Sequence, residues 1–261
     1  MEVRIERLSG DDAGLVLLGL DRPAAKNALG RQLLAEFRQA LVDLRSDPTV
    51  RIVVLHSLVP GVFCAGADLK ERADMSQAEA TAFVQGLRSA FTELEDLPTP
   101  VITALEGAAF GGGLELALCA DLRVAGAEAK LGLVETALAI IPGAGGTQRL
   151  PRLIGASRAK ELIFTARRLG AEEAGHLGLV DRVVPAGQAL EWALALAREI
   201  LPNGPVALRM AKLAVNRGQF LDRESGLAFE QTCYAQVIPT KDRLEGLAAF
   251  RDKRKPRYRG E

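Results

Sequence analysis

VITALEGAAFGGGLELALCADLRV, residues 101–124, is the stretch that decides the fold. A short apolar run with β-branched residues passes through a glycine-rich turn into an apolar helical run, and then into a second strand, LRVAG. A strand that feeds a helix and returns to a strand is the unit of a wound α/β domain. Towards the N-terminus the same texture continues. Val3 and Ile5 alternate with polar residues, and LVLLGL at 15–20 follows the polar turn SGDDAG, so a sheet starts at once. From Ala28 the spacing becomes helical, with Leu33, Phe37, Leu41 and Leu44 on one face; Pro48 follows, and VRIVVLH at 50–56 reads as a buried strand. Ser76 stands three before Glu79 as a capping box, and Phe83, Leu87, Phe91 and Leu94 form a stripe that stops at Leu97-Pro98. Towards the C-terminus KLGL is a strand. Beyond about residue 150 the texture is helix upon helix: RAKELIFTA, EEAGHLG, ALEWALALAREIL, PVALRMAKLAVNRG, SGLAFEQTCYAQ and DRLEGLAAFRDK. The expected division is a core at 1–195 and a helical region at 196–261.

Composition narrows the function. The 261 residues carry 33 Lys and Arg against 33 Asp and Glu, and a net charge of zero gives no electrostatic reason to expect nucleic acid or membrane. Cys64, Cys119 and Cys233 are too few and too scattered for a disulfide framework or a C-x-x-C metal site. No apolar run approaches the roughly 20 residues of a membrane span. The opening MEVRIERLSGDD reads as neither a signal nor a transit peptide, so a soluble chain in a reducing compartment is expected. His56 ends a strand and reads as a core residue; His176 has no acidic or serine partner in a motif. Chemistry is left to carboxylates and backbone amides.

Three segments carry such groups. FCAGADLKE, 63–71, leaves a strand through small residues that let the backbone approach a ligand, with Asp68 as either a functional group or a helix cap. EGAAFGGGLELALCADLRV, 106–124, offers helix-start N–H groups and one carboxylate, Glu115, which on local sequence alone reads as an exposed helix residue. A dinucleotide-binding finger fails because Ala109 occupies the second glycine position, and a P-loop fails for want of G-K-[ST]. KLGLVETALAIIPGAGGTQRLPRLIG, 130–155, holds Glu135 and the tight turn PGAGG. Twenty positions separate Glu115 from Glu135, a spacing without local meaning; were they to meet in an apolar pocket, they could divide acid and base duty.

In this order, FCAGADLKE, AAFGGGLELALCADLRVA, GLVETALAIIPGAGGTQRLPRLIG, AKELIFTAR, GLVDRVV and TKDRLEGLAAFRDKRKP make the chain resemble the enoyl-CoA hydratase/isomerase, or crotonase, family from Val3 to Arg257. The resemblance implies an α/β fold, the crotonase (ClpP-like) spiral of repeated ββα turns with a helical C-terminal trimerisation region. It also implies a homotrimer or dimer of trimers in the mitochondrial matrix, and no cofactor beyond the coenzyme A of the substrate. By motif position, Ala67 and Gly112 would supply the two amides of an oxyanion hole, Glu115 would activate water and Glu135 would deliver a proton. Gly143 would offer an amide near that water, or be no more than a turn that needs positive φ. Cys64, Ala65, Asp68, Leu69 and Lys70 would border CoA, joined by Phe250 and Lys253 across a subunit interface. Both glutamates point to hydration of a 2-enoyl-CoA, in fatty-acid or branched-chain acyl-CoA breakdown, with isomerisation, or hydration of methylglutaconyl-CoA with RNA binding as a side activity, as the alternative. Straight or short branched chains are the expected acyl class, because beside Arg72 no cationic partner is evident for a carboxylated chain such as methylglutaconyl-CoA. RNA binding occurs within the family. Its expected carrier here is the helix with Arg31, Arg38 and Arg45, although three charges seven apart are ordinary for a solvated face.

Overall fold

The computed structural model describes residues 1–261. Ten strands are interleaved with eleven helices. The first half runs β1 (Val3–Arg7), β2 (Leu15–Leu20), α1 (Arg31–Ser46), β3 (Ile52–Ser57), β4 (Val62–Cys64), α2 (Leu69–Ala73), α3 (Gln77–Glu95), β5 (Val101–Leu105), β6 (Ala108–Phe110) and α4 (Gly112–Ala117). The second runs β7 (Leu122–Gly126), β8 (Lys130–Gly132), α5 (Gly146–Ile154), α6 (Ala156–Thr165), β9 (Leu169–Gly170), α7 (Ala171–His176), β10 (Arg182–Val184), α8 (Ala189–Ile200), α9 (Pro205–Gly218), α10 (Arg223–Val237) and α11 (Lys241–Arg251). The strands form two sheets, ordered β1-β2-β3-β5-β7-β10 and β4-β6-β8-β9. Three successive turns of chain each give one strand to each sheet: β3 then β4, β5 then β6, β7 then β8. That alternation is the spiral of ββα turns.

The strand texture follows from burial on both faces. In β2, Val16, Leu18 and Leu20 join the main core while Leu15 and Leu17 join a second one; Val53 and Leu55 part from Ile52 and Val54 in the same way. Side chains alternate with period two, so a strand covered on both sides reads as a continuous apolar run. The helices behave as their stripes dictate. α1 buries Leu33, Phe37, Leu41 and Leu44, and α3 opens on the full capping box, Ser76 Oγ accepting from the Glu79 amide and Glu79 Oε2 from the Ser76 amide. α1 begins at Arg31, three residues after the spacing predicts. Lys26 and Asn27 are left-handed, at φ 51° and 55°, and the buried Asn27 amide is spent on Ser57 Oγ and the Phe63 carbonyl.

The second core is closed by α8, whose Ala189, Ala193, Leu196 and Ala197 all face the six-stranded sheet. The expected division at 195/196 falls inside this helix. No helix is long and apolar enough to cross a membrane.

Parallel pairing explains how distant motifs meet. Cys64 of β4 lies against Ala109 of β6, and Phe110 of β6 against Gly132 of β8. The C-terminal ends of three parallel strands thus share one edge, the place where α/β folds gather ligands. All three chemistry-bearing segments leave from that edge.

Candidate active site

The segment after β4 and the segment after β6 touch backbone to backbone. Gly66 has φ 99°, and a Cβ there would stand 2.8 Å from the Phe110 carbonyl oxygen; a Cβ on Gly113 would overlap the Cys64 carbonyl. Glycine is needed at both positions for the approach. It sets Ala67 beside Gly112 on the wall of a cavity of about 610 Å³. Neither amide serves the hydrogen bonds around it: Leu29 donates to the Gly66 carbonyl, Asp68 to Leu29, Gly111 to Gly132 and Glu115 to Gly111. Two amide donors on the cavity wall are thus without an internal acceptor.

Glu115 and Glu135 line that same cavity. Glu115 is 3% exposed and Glu135 9%, so the reading of Glu115 as an exposed helix residue is overturned. α4 is enclosed on all sides, with Leu114 and Leu116 in the main core. The two carboxylates are unlike. Glu115 Oε1 accepts from the amides of Ala144 at 2.8 Å and Gly146 at 2.7 Å. Burial raises its pKa, while those amides and the charges of Arg149 and Arg88 oppose the rise. Glu135 heads a 3-10 turn at Glu135–Leu138, and its buried Oε2 has no partner. Burial first, and then the Glu115 charge, push its carboxyl up to about 7.

Gly143 is also on the cavity wall, and its carbonyl accepts from Arg88 Nη2 at 3.0 Å. It is Gly145, at φ 118°, that is the left-handed residue of the PGAGG turn, so the turn explanation offered for Gly143 is corrected. The turn itself is clamped from behind. Arg149 Nη1 donates to the Ala144 carbonyl at 3.1 Å, and its Nε and Nη2 both reach Glu95 Oε2. Ala144, Gly146, Arg149 and Arg88 were missed by sequence reasoning. Backbone donors carry no side-chain signal, and Arg88 sits on a helix whose pattern announces only a core stripe.

Of the CoA set, Ala65 and Leu69 line the cavity and Leu69 is 55% exposed. Cys64 lies beneath it, fully buried, with Sγ donating to the Asn27 carbonyl; burial raises the thiol to about 12, which removes it as a nucleophile. The Asp68 side chain caps α2 through the amides of Lys70 and Glu71 and pairs with Arg22 at 2.8 Å, so the helix-cap reading holds for it. Lys70 is exposed on α2. Phe250, 88% exposed, and Lys253 lie at the end of α11 and do not line the cavity of their own chain. His56 is the penultimate residue of β3, buried, its pKa lowered by desolvation. No cluster of three or more His, Cys, Asp or Glu side chains is arranged to hold a metal ion.

The α1 arginines are committed. Arg31 pairs with Glu79, Arg38 with Glu93, and Arg45 donates to the Glu93 and Asp96 carbonyls. They tie α1 to α3.

Comparison with known proteins decides the lineage. The enoyl-CoA hydratase/isomerase family profile matches residues 10–261. The chain belongs to that family. It is 55% identical over its whole length to human mitochondrial methylglutaconyl-CoA hydratase, of which it covers 78%, and 52% identical over 99% of its length to mouse mitochondrial enoyl-CoA hydratase domain-containing protein 2, of which it covers 89%. A crystal structure of enoyl-CoA hydratase from Bacillus anthracis superposes with a TM-score of 0.97 at 47% identity, covering both chains entirely. The fold is the α/β crotonase fold, and this member of the family is an enzyme of hydro-lyase type that works on CoA thioesters by enoyl-CoA hydratase/isomerase chemistry.

Proposed function

We propose that the enzyme adds water across the double bond of a 2-enoyl-CoA. The observation that carries this reading is that two buried carboxylates of unequal basicity share one cavity with two unengaged amides. The thioester oxygen would accept from the amides of Ala67 and Gly112, where negative charge grows as an enolate forms; one such donor is worth about 3 kcal/mol. Glu115 takes a proton from water as the water oxygen bonds Cβ. The electron pair runs onto the thioester oxygen and returns to Cα, which takes the proton held by Glu135. The pair ends with its single proton on Glu115 and is reset when that proton passes to Glu135.

For the acyl group, the 55% identical human relative bears the name methylglutaconyl-CoA hydratase, which moves the first choice from a plain short chain to 3-methylglutaconyl-CoA. The test is loss of the conjugated enoyl-thioester absorbance with crotonyl-CoA and with 3-methylglutaconyl-CoA, beside Glu115→Gln and Glu135→Gln. Turnover by the native enzyme alone, with the 3-hydroxyacyl product identified, supports hydration. A shifted double bond without added water would establish isomerisation instead, and undiminished turnover by either variant would remove that residue's role.

A trimer or dimer of trimers is supported by the unpartnered apolar side chains on α10 and α11, among them Leu227, Tyr234, Leu244 and Phe250. Such an assembly would bring Phe250 and Lys253 to a neighbour's CoA; a monomer by light scattering at micromolar concentration would overturn it. A mitochondrial location is supported by the names of two relatives, and its placement in the matrix by the family resemblance; both are checked by fractionation of cells expressing the protein.

A further inference from the structure

The cavity that holds the two glutamates is also lined by two cations without an acidic partner. Arg72, on α2, and Arg88, on α3, both line it, and neither forms an ion pair; Arg22, Arg31, Arg38 and Arg149 nearby each have an acidic partner. Arg88 is the better fixed. Its Nε and Nη2 donate to the Gly143 carbonyl at 3.3 and 3.0 Å, which holds the guanidinium beside the 141–144 segment. Around it the lining is aliphatic: Val84, Leu87, Leu138, Ile140 and Ile141. Arg72 follows Ala65–Leu69, the stretch assigned to CoA, whereas Arg88 is tied to Gly143, next to the Ala144 amide that holds Glu115. A neutral acyl chain would give this guanidinium nothing to bind. An acyl chain ending in a carboxylate would meet this exposed guanidinium with a charge-assisted hydrogen bond beside an apolar wall.

We propose that Arg88 is the specificity-determining residue of an acyl-carboxylate subsite, which selects 2-enoyl-CoA esters of dicarboxylic acids over neutral chains of the same length. The inference rests on the hydratase reading for the identity of the ligand, and its test therefore includes a measurement that needs no turnover. Glutaryl-CoA and pentanoyl-CoA are saturated and of equal chain length, and differ in the terminal carboxylate. Calorimetric titration of the native enzyme should give a lower Kd for glutaryl-CoA. In Arg88→Met that preference should fall by roughly 10- to 100-fold, and Arg88→Lys, which keeps the charge but not the fork, should restore part of it. Turnover of glutaconyl-CoA against 2-pentenoyl-CoA should move in the same ratio. Arg88 also supports the Gly143 turn, so a purely structural role would depress both members of each pair equally and leave the ratio intact, which overturns the proposal. A ratio that collapses in Arg72→Met and not in Arg88→Met overturns the assignment as well, and so does a native enzyme that binds the two saturated esters alike. An intact binding preference with no hydration of any enoyl ester would leave the subsite standing and refute the hydratase reading instead.

Discussion

Replacing Glu135 with Gln should remove activity and at the same time stabilise the fold in alkaline solution. In the folded chain the carboxyl titrates near 7, against a reference value of 4.5, because burial and the Glu115 charge disfavour its ionised form. The folded state therefore holds this proton more tightly than the unfolded state does, so the unfolded state ionises first. The contribution is fully present below about pH 4.5 and is lost as pH rises through about 7. At roughly 1.4 kcal/mol per pH unit the loss approaches about 3 kcal/mol. That is an upper figure, because the carboxyl faces a cavity that admits solvent. Glutamine does not titrate and escapes the penalty. Urea unfolding of both proteins at one fixed concentration, which removes the mass-action effect of assembly, should show the variant gaining about 2 kcal/mol on the native enzyme between pH 5 and pH 8.5. A stability difference that is flat with pH, or that shrinks as pH rises, would refute the assignment of a buried, destabilised carboxylate to Glu135.

Three further outcomes follow from the same geometry. Glu115→Gln removes one of the two causes that raise Glu135, so the pH midpoint of the stability curve should move to lower pH while hydration is lost. Gly66→Ala puts a Cβ on a residue at φ 99° and against the Phe110 carbonyl; displacing the Ala67 amide from its neighbour should lower kcat by about 10²-fold or more with CoA binding retained, and an unchanged kcat would show that the close approach does not matter. Arg149→Met frees the Ala144–Gly146 turn from Glu95, so kcat should fall more than KM rises and Arg149→Lys should recover part of it, whereas an equal loss of binding and turnover would assign Arg149 to general stability.

The parts legible in the sequence are those written in local pattern. The Ser76 and Glu79 capping box, the Leu33 to Leu44 stripe and the apolar runs at 15–20 and 101–105 all depend on neighbours within a few residues, and all are where the pattern puts them. What the pattern could not carry is contact through space. Glu115 and Glu135 are brought to one cavity by parallel pairing of β6 with β8, and an apolar helix around Glu115 looks the same whether its last face is wet or enclosed. The motif order supplied the pairing through resemblance to a family; spacing alone left it open. α8, ALEWALALAREI, has the same alanine- and leucine-rich texture as the helices after it, and only its contacts with β3, β5 and β7 place it against the sheet. Arg88 was invisible for a related reason. A single cation beside a core stripe reads as solvated surface until the far wall, Gly143, is in view.

The inequality of the two carboxylates does not come from the segments that bear them. Glu115 stands on the more deeply buried element, and burial alone would make it the weaker acid of the two. The order is reversed by a third segment. The turn at 142–146 turns two amides onto Glu115 Oε1, Arg149 and Arg88 hold that turn by its carbonyls, and both guanidiniums add positive charge on the same side. Glu135 receives none of this and is left with an unpartnered oxygen and a negative neighbour. The rise at Glu115 is thereby opposed while Glu135 is pushed up to about 7, and the difference is made by backbone geometry and two arginines. A chain that retained both glutamates but had a different 142–146 turn would possess the same pair of residues without the same division of labour, which is why the glutamates by themselves are a weaker sign of hydration than the glutamates together with that turn.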